Sequence, residues 1–183
     1  MIEKYLIEYC SPTLASVKFA SLFNAAFSEH DDMERQLNRW NILMEPKGIK
    51  LVVLRKCHDR ALIYMYRPKL LQKRLDCPGV QMFLKEYGYK DFHVEAALSV
   101  LNMKFSETQD FPHEIGIFLD YPLEDVVGFI ENNGQNYICC GCWKVYCNEC
   151  EAQKMFRKYG KCHEVYQRLW ENGRSVMQLT VAV

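Results

Sequence analysis

No apolar run in this 183-residue chain approaches the ~18 residues needed to cross a bilayer, so no helical membrane span is expected. Neither charge is in excess. Lys and Arg number 23 against 23 Asp and Glu, which leaves no global electrostatic case for nucleic acid or an anionic membrane surface as partner. No phosphate-cradling glycine loop, HExxH or GxSxG occurs, so the common signatures of nucleotide binding, zinc proteolysis and serine hydrolysis are missing. Internal repeats, low-complexity segments and linkers are lacking too. The opening MIEKYLIEYC has acidic residues where a secretory signal would have a basic start and a long apolar stretch, so the expected compartment is the cytoplasm.

What is present is a soluble globular composition, 49% hydrophobic and 25% charged, with length enough for one substantial core. A single domain over residues 1–183 is expected. Nine cysteines are many for such a chain. Their number is odd and the chain is too long to need disulfide staples, so they read as reduced thiols, most of them small buried hydrophobes.

Residues 3–9 read as a short helix or strand closed by Cys10-Ser11-Pro12-Thr13. Ser11 or Thr13 then caps a following helix through Leu14, Val17 and Lys18, with Pro12 in its first turn. Residues 31–44 have helical spacing, stopped by Pro46, Lys47 and Gly48. Two β-rich runs, 49–54 and 61–66, read as a hairpin. Helices are expected over 68–75, 80–87 with Gly88 as C-cap, and 92–105. Residues 111–120 have the content of a buried strand, Tyr121-Pro122 opens a helix with Glu124 and Asp125 in its first turn, and 137–146 reads as a second strand. The longest helix spans 148–170, broken near Gly160, and 175–183 reads as a last strand. The expected fold is therefore α+β, one domain with a mixed or antiparallel sheet of about five strands flanked by helices, centred on residues 111–146.

The run FPHEIGIFLDYPLEDVVGFI, followed by GCWKVY, resembles the bacterial family of unknown function DUF3793. The resemblance extends from CSPTL at residues 10–14, through YMYR at 64–67, to LTV at 179–181, nearly the whole chain. It implies a small cytosolic bacterial protein and brings no established activity, cofactor or catalytic residue.

Three constellations could carry chemistry. The first is Cys10 with His113, and Asn136 (or Asp120) to orient the imidazole. A cysteine nucleophile needs a lowered pKa, which a helix N-terminus and an imidazole would supply, in an order distantly like that of papain. The second is the sulfur cluster of Cys140, Cys142, Cys147 and Cys150, with Cys162 and His163 nearby. Tetrahedral zinc wants such pairs at about 2.3 Å, and an iron–sulfur cluster would draw on the same residues. Only residues 143–146 separate the two pairs, however, and as a strand at ~3.3 Å per residue they would hold the pairs apart. The third is an anion pocket using Arg67, Lys144 and Lys18, with Arg67 at a strand end and suited to bidentate recognition. The expected function is a small-ligand-binding or accessory interaction module, for a small anion or a partner protein. The alternatives are a thiol-dependent enzyme and a cysteine-ligated zinc or iron–sulfur protein. The sequence identifies no cofactor.

Overall fold

The structure is a computed structural model that describes residues 2–27, 33–107 and 111–183. Among these, the order is α1 (Ile2–Leu14), β1 (Ala20–Ala26), α2 (Met33–Met44), a 3-10 turn (Glu45–Lys47), β2 (Lys50–Cys57), β3 (Arg60–Tyr66), α3 (Pro68–Leu75), α4 (Pro78–Glu86) and α5 (Val94–Glu107). There follow α6 (Ile115–Phe118), α7 (Leu123–Glu131), β4 (Cys139–Cys140), β5 (Lys144–Val145), α8 (Glu149–Glu171) and α9 (Val176–Leu179). Residues 31 and 32 of the expected second helix lie outside the described residues.

The sheet is antiparallel with β3 in the middle, Tyr66 facing Ala20 of β1 on one side and Lys50 of β2 on the other. Alternation along β3 divides the core in two, because successive side chains leave opposite faces. Tyr64 and Tyr66 join α3 to α7 in one apolar cluster, through residues such as Leu71, Leu84, Leu101, Phe118 and Val126. Ala61, Ile63 and Met65 join α1, α2 and α9 in the other, against Leu6, Ile7, Trp40 and Val176. The sheet is thus covered by helices on both faces, and β3, buried on both, is the true centre of the molecule. The expected hairpin is β2–β3, lengthened past a bulge near Leu54.

Among the described residues there are five strands, as expected, but they form two antiparallel sheets of three and two strands rather than one. Four local expectations are also corrected. Residues 3–14 form one helix, and Cys10 sits near its C-terminus instead of before an N-terminus. The stripe Ile2, Leu6, Ile7, Cys10 and Leu14 carries the helix through Pro12, which removes one backbone bond close to the end, where the cost is small. Residues 111–120 form a turn and the short α6 rather than a strand. Every residue from 114 to 119 is buried, and an apolar run buried all round has no periodicity to separate helix from strand. Helix α8 passes unbroken through Gly160, which is exposed. Residues 176–179 are helical because Ser175 and Gln178 form a reciprocal capping box.

Two helix ends close the same way with different residues. After α4, Gly88 is left-handed (φ 87°), and the N–H groups of Gly88 and Tyr89 donate to the carbonyls of Lys85 and Leu84. After α1, Ser16 takes the left-handed position (φ 57°), with Ser16 N–H donating to Thr13 and Val17 N–H to Pro12. The last two carbonyls of α1, those of Thr13 and Leu14, also accept from Arg67, which is 1% exposed. Its Nε donates to Thr13 O (3.0 Å), Nη2 to Leu14 O (3.1 Å) and Val181 O (2.8 Å), and Nη1 to Lys47 O (3.0 Å). A cation belongs at the negative end of a helix dipole. This speaks against the expectation that Arg67 binds an anion, since four hydrogen bonds from its guanidinium already go to backbone carbonyls. Nor does it pair with Glu114, which is 3% exposed, pairs with Lys104 and accepts the Tyr89 hydroxyl at 3.4 Å.

Candidate functional site

Between α6, α7 and the β4–β5 hairpin lies a cleft of about 410 Å³. Three close approaches shape it. A Cβ on Gly116 of α6 would meet Val126 of α7 at 2.6 Å, one on Gly128 of α7 would meet the Tyr146 side chain at 2.5 Å, and one on Gly141 of the hairpin would meet Phe156 of α8 at 2.3 Å. Each glycine lets one element seat on the next.

The hairpin is held by Asp125, in the first turn of α7 and 2% exposed. Its Oδ2 accepts the Trp143 indole N–H (2.7 Å), and its Oδ1 accepts the backbone N–H groups of Tyr146 (2.8 Å) and Cys147 (3.0 Å). Tyr121 adds a tie, its hydroxyl donating to Cys142 O at 3.2 Å and its ring stacked on Trp143 at 5.1 Å. These bonds fold residues 137–146 back on themselves, so the expected long strand is a tight hairpin with Cys140 and Cys142 on either side of Gly141.

The cleft walls are apolar, with Ile115, Leu119, Val126, Phe129 and Trp143. His113, Lys144, Cys140 and Cys142 also line it. Lys144 Nζ donates to Gly134 O at 2.7 Å and sits 4.8 Å from the Tyr137 ring centre and 5.7 Å from that of Phe129. The His113 ring lies 5.0 Å from that of Phe129. Residues that the sequence placed in three separate constellations therefore meet in one cleft.

The remaining candidates lie elsewhere. Cys10 is 0% exposed in the core between α1 and the sheet, and burial pushes its thiol far above the ordinary range. That is the reverse of what a nucleophile needs, so the expected Cys10–His113 pair lacks its activated sulfur. Asn136 is left-handed (φ 58°), exposed, and donates to Asn132 Oδ1 at 3.3 Å. Cys147 and Cys150 flank the start of α8; burial and the Asp125 carboxylate raise the Cys147 thiol. Among the described residues no three His, Cys, Asp or Glu side chains are grouped to hold a metal ion, so the expected four-sulfur site does not converge. Lys18 lines a separate depression, and its ammonium lies 5.1 Å from the Tyr121 ring centre and 5.8 Å from that of Tyr159. Burial pulls its pKa down, against the nearby Cys142 and Asp120, which raise it.

Thiol accessibility tests this placement. With iodoacetamide and mass spectrometry, the exposed Cys57, Cys77, Cys140, Cys142 and Cys150 are expected to alkylate in the native protein, and Cys10 only above the denaturant midpoint. Native labelling of Cys10 would contradict the sealed core.

Sequence reasoning missed Asp125, taken only as a partner for the helix dipole. Local patterning gave no signal for it, because two adjacent carboxylates in a first turn, about 100° apart, both fit on the polar face of an amphipathic helix.

No curated protein and no solved structure matches the chain. The model of the family described as "Protein of unknown function (DUF3793)" matches residues 6–180. On that match, over nearly its whole length, the chain belongs to the DUF3793 family.

Proposed function

We propose that the protein is a small-molecule-binding module whose ligand, an apolar or aromatic body carrying an anionic group, occupies the cleft between α6, α7 and the β4–β5 hairpin. One observation carries the reading: a concave, mostly apolar cleft with a few polar groups at one place, the usual construction of a ligand site. The apolar walls favour a hydrophobic body. Lys144 supplies a cation whose only hydrogen-bond acceptor among the described residues is a backbone carbonyl, so a ligand carboxylate or sulfonate can take its place beside that charge.

A second reading, thiol chemistry in the same cleft, has His113 beside Cys140 and Cys142 in its favour. Against it, burial raises the Cys142 thiol, and no hydrogen bond joins the imidazole to either sulfur among the described residues.

The test uses 1-anilinonaphthalene-8-sulfonate, an aromatic anion, with Trp143 as energy donor. Saturable 1:1 binding to the native protein is expected. Cys140→Trp, which fills the cleft from an exposed position, is expected to weaken it about tenfold or more, and Lys144→Ala roughly threefold to tenfold. Unsaturable binding, or binding indifferent to Cys140→Trp, would remove the cleft as the site.

A further inference from the structure

A second depression, of about 300 Å³, lies where the turn after α1 meets α3. It is lined by Ser16, Lys18, Phe19, Lys73, Arg74 and Asp120, among others. Lys73 and Arg74 come from one face of α3, which they share with Leu70. The left-handed Ser16 turns the chain so that Lys18 reaches the same space. Asp120 is also left-handed (φ 66°), and its Oδ2 accepts the Phe19 N–H at 3.3 Å, which fixes the loop against residue 120.

Charge here is unbalanced. Three cations share the depression with one carboxylate, in a protein whose overall formal charge is zero. Among the described residues, none of the three cations forms an ion pair. Lys18 Nζ has two tyrosine rings beside it and, among the described residues, no hydrogen-bond acceptor. Arg74 uses Nη2 on Tyr121 O at 2.8 Å, while its Nε is enclosed without an acceptor among the described residues. A buried donor without a partner is rare in a folded protein and calls for an explanation. Like charges held together cost free energy unless something of opposite sign joins them.

We propose that this depression binds a phosphoryl group, as free phosphate or as the phosphate end of a small molecule. Three cations less one carboxylate leave two positive charges, and a phosphoryl group near neutral pH carries about −1.5 to −2 with three acceptor oxygens. A carboxylate would neutralise only half of the surplus. The site is separate from the cleft between α6, α7 and the hairpin, although consecutive residues serve both: Asp120 lines this depression and Tyr121 the cleft.

Calorimetric titration of the full chain at low ionic strength, with inorganic phosphate, glycerol phosphate and acetate in turn, tests this. Saturable binding of both phosphates is expected, with acetate about tenfold weaker or more at matched ionic strength. Tighter binding of glycerol phosphate would identify a phosphate monoester as the ligand, and equal or tighter binding of inorganic phosphate would identify the free ion. Lys18→Met and Lys73→Gln are each expected to raise the Kd roughly threefold to tenfold, and Lys85→Gln on α4 to leave it unchanged. Because Lys73 is exposed, its variant keeps the test open even where Lys18→Met folds poorly. No saturable phosphate binding, acetate binding as tight as phosphate, or equal effects of Lys73→Gln and Lys85→Gln would each overturn the proposal. None of these outcomes bears on naphthalene-sulfonate binding in the cleft, so the two readings fail separately.

Discussion

Replacing Arg67 by methionine is expected to destabilise the protein by about 3–5 kcal/mol, a large share of the 5–15 kcal/mol typical of a domain. The length of the side chain is roughly kept, so little of the loss comes from a cavity. It comes from the carbonyls. Thr13 O and Leu14 O keep a backbone partner each, from Ser16 and Val181, but Lys47 O and Val181 O have no other among the described residues. Each oxygen left without a donor costs about 1–3 kcal/mol, and the charge-assisted bonds to the other two disappear as well. Arg67→Lys is expected to recover part of the loss, since an ammonium keeps the charge at the helix end but cannot reproduce the planar fork. Urea unfolding of the three proteins measures this. A loss below about 1 kcal/mol for methionine would mean that water or a shifted backbone replaces the guanidinium and that the clamp is not structural.

Asp125→Ala is expected to cost about 2–4 kcal/mol, and its clearest effect is local. The carboxylate is the joint between α7 and the hairpin, so its removal frees Trp143, Tyr146 and Cys147 together. Trp143 emission should shift to the red, and naphthalene-sulfonate binding should fall with it, because the hairpin is one wall of the cleft. Asp125→Asn separates the two halves of the joint. An amide oxygen can still accept both backbone N–H groups, but the amide nitrogen would then face the indole N–H, donor against donor. About half the stability loss of alanine is expected for asparagine. Equal losses for the two variants would show that the indole bond alone holds the hairpin, and no shift in Trp143 emission from either would show that the carboxylate is dispensable.

Much of the fold is legible wherever punctuation is strong. Pro68 fixes the start of α3, Gly88 marks the end of α4, and the β2–β3 hairpin follows from two β-rich runs around a polar turn, whereas α4 starts at Pro78, two residues before the expected 80. Legibility fails where burial or a local signal admits two readings. Pro12 after Ser11 has the form of a helix start, yet the apolar stripe from Ile2 to Leu14 overrides it. Ile115, Ile117, Phe118 and Leu119 look like a strand because nothing polar interrupts them. Residues 175–183 are β-rich in composition, but the Ser175–Gln178 capping box governs the first four. For the site, chemistry-bearing residues were easy to single out and their grouping was not. His113, Lys144, Cys140 and Cys142 come together only because the chain doubles back at Gly141, and that depends on Asp125 reaching across from another helix. A contact of that kind leaves no trace in local patterning.

The Arg67 clamp bears on how the chain is made. Its acceptors are delivered at very different moments of synthesis: Thr13, Leu14 and Lys47 precede the arginine on the nascent chain, whereas Val181 follows it by 114 positions. While residues 68–180 are still being added, the guanidinium can cap α1 and the Lys47 carbonyl, so the β1–β3–β2 sheet and α1 can assemble early. The last carbonyl arrives only once the segment after α9 has left the ribosome and docked beside Leu14. Burial of that charge is thus completed only after residues 68–180 have been made and the segment after α9 has docked, which gives the newly made chain a late checkpoint built from a single side chain.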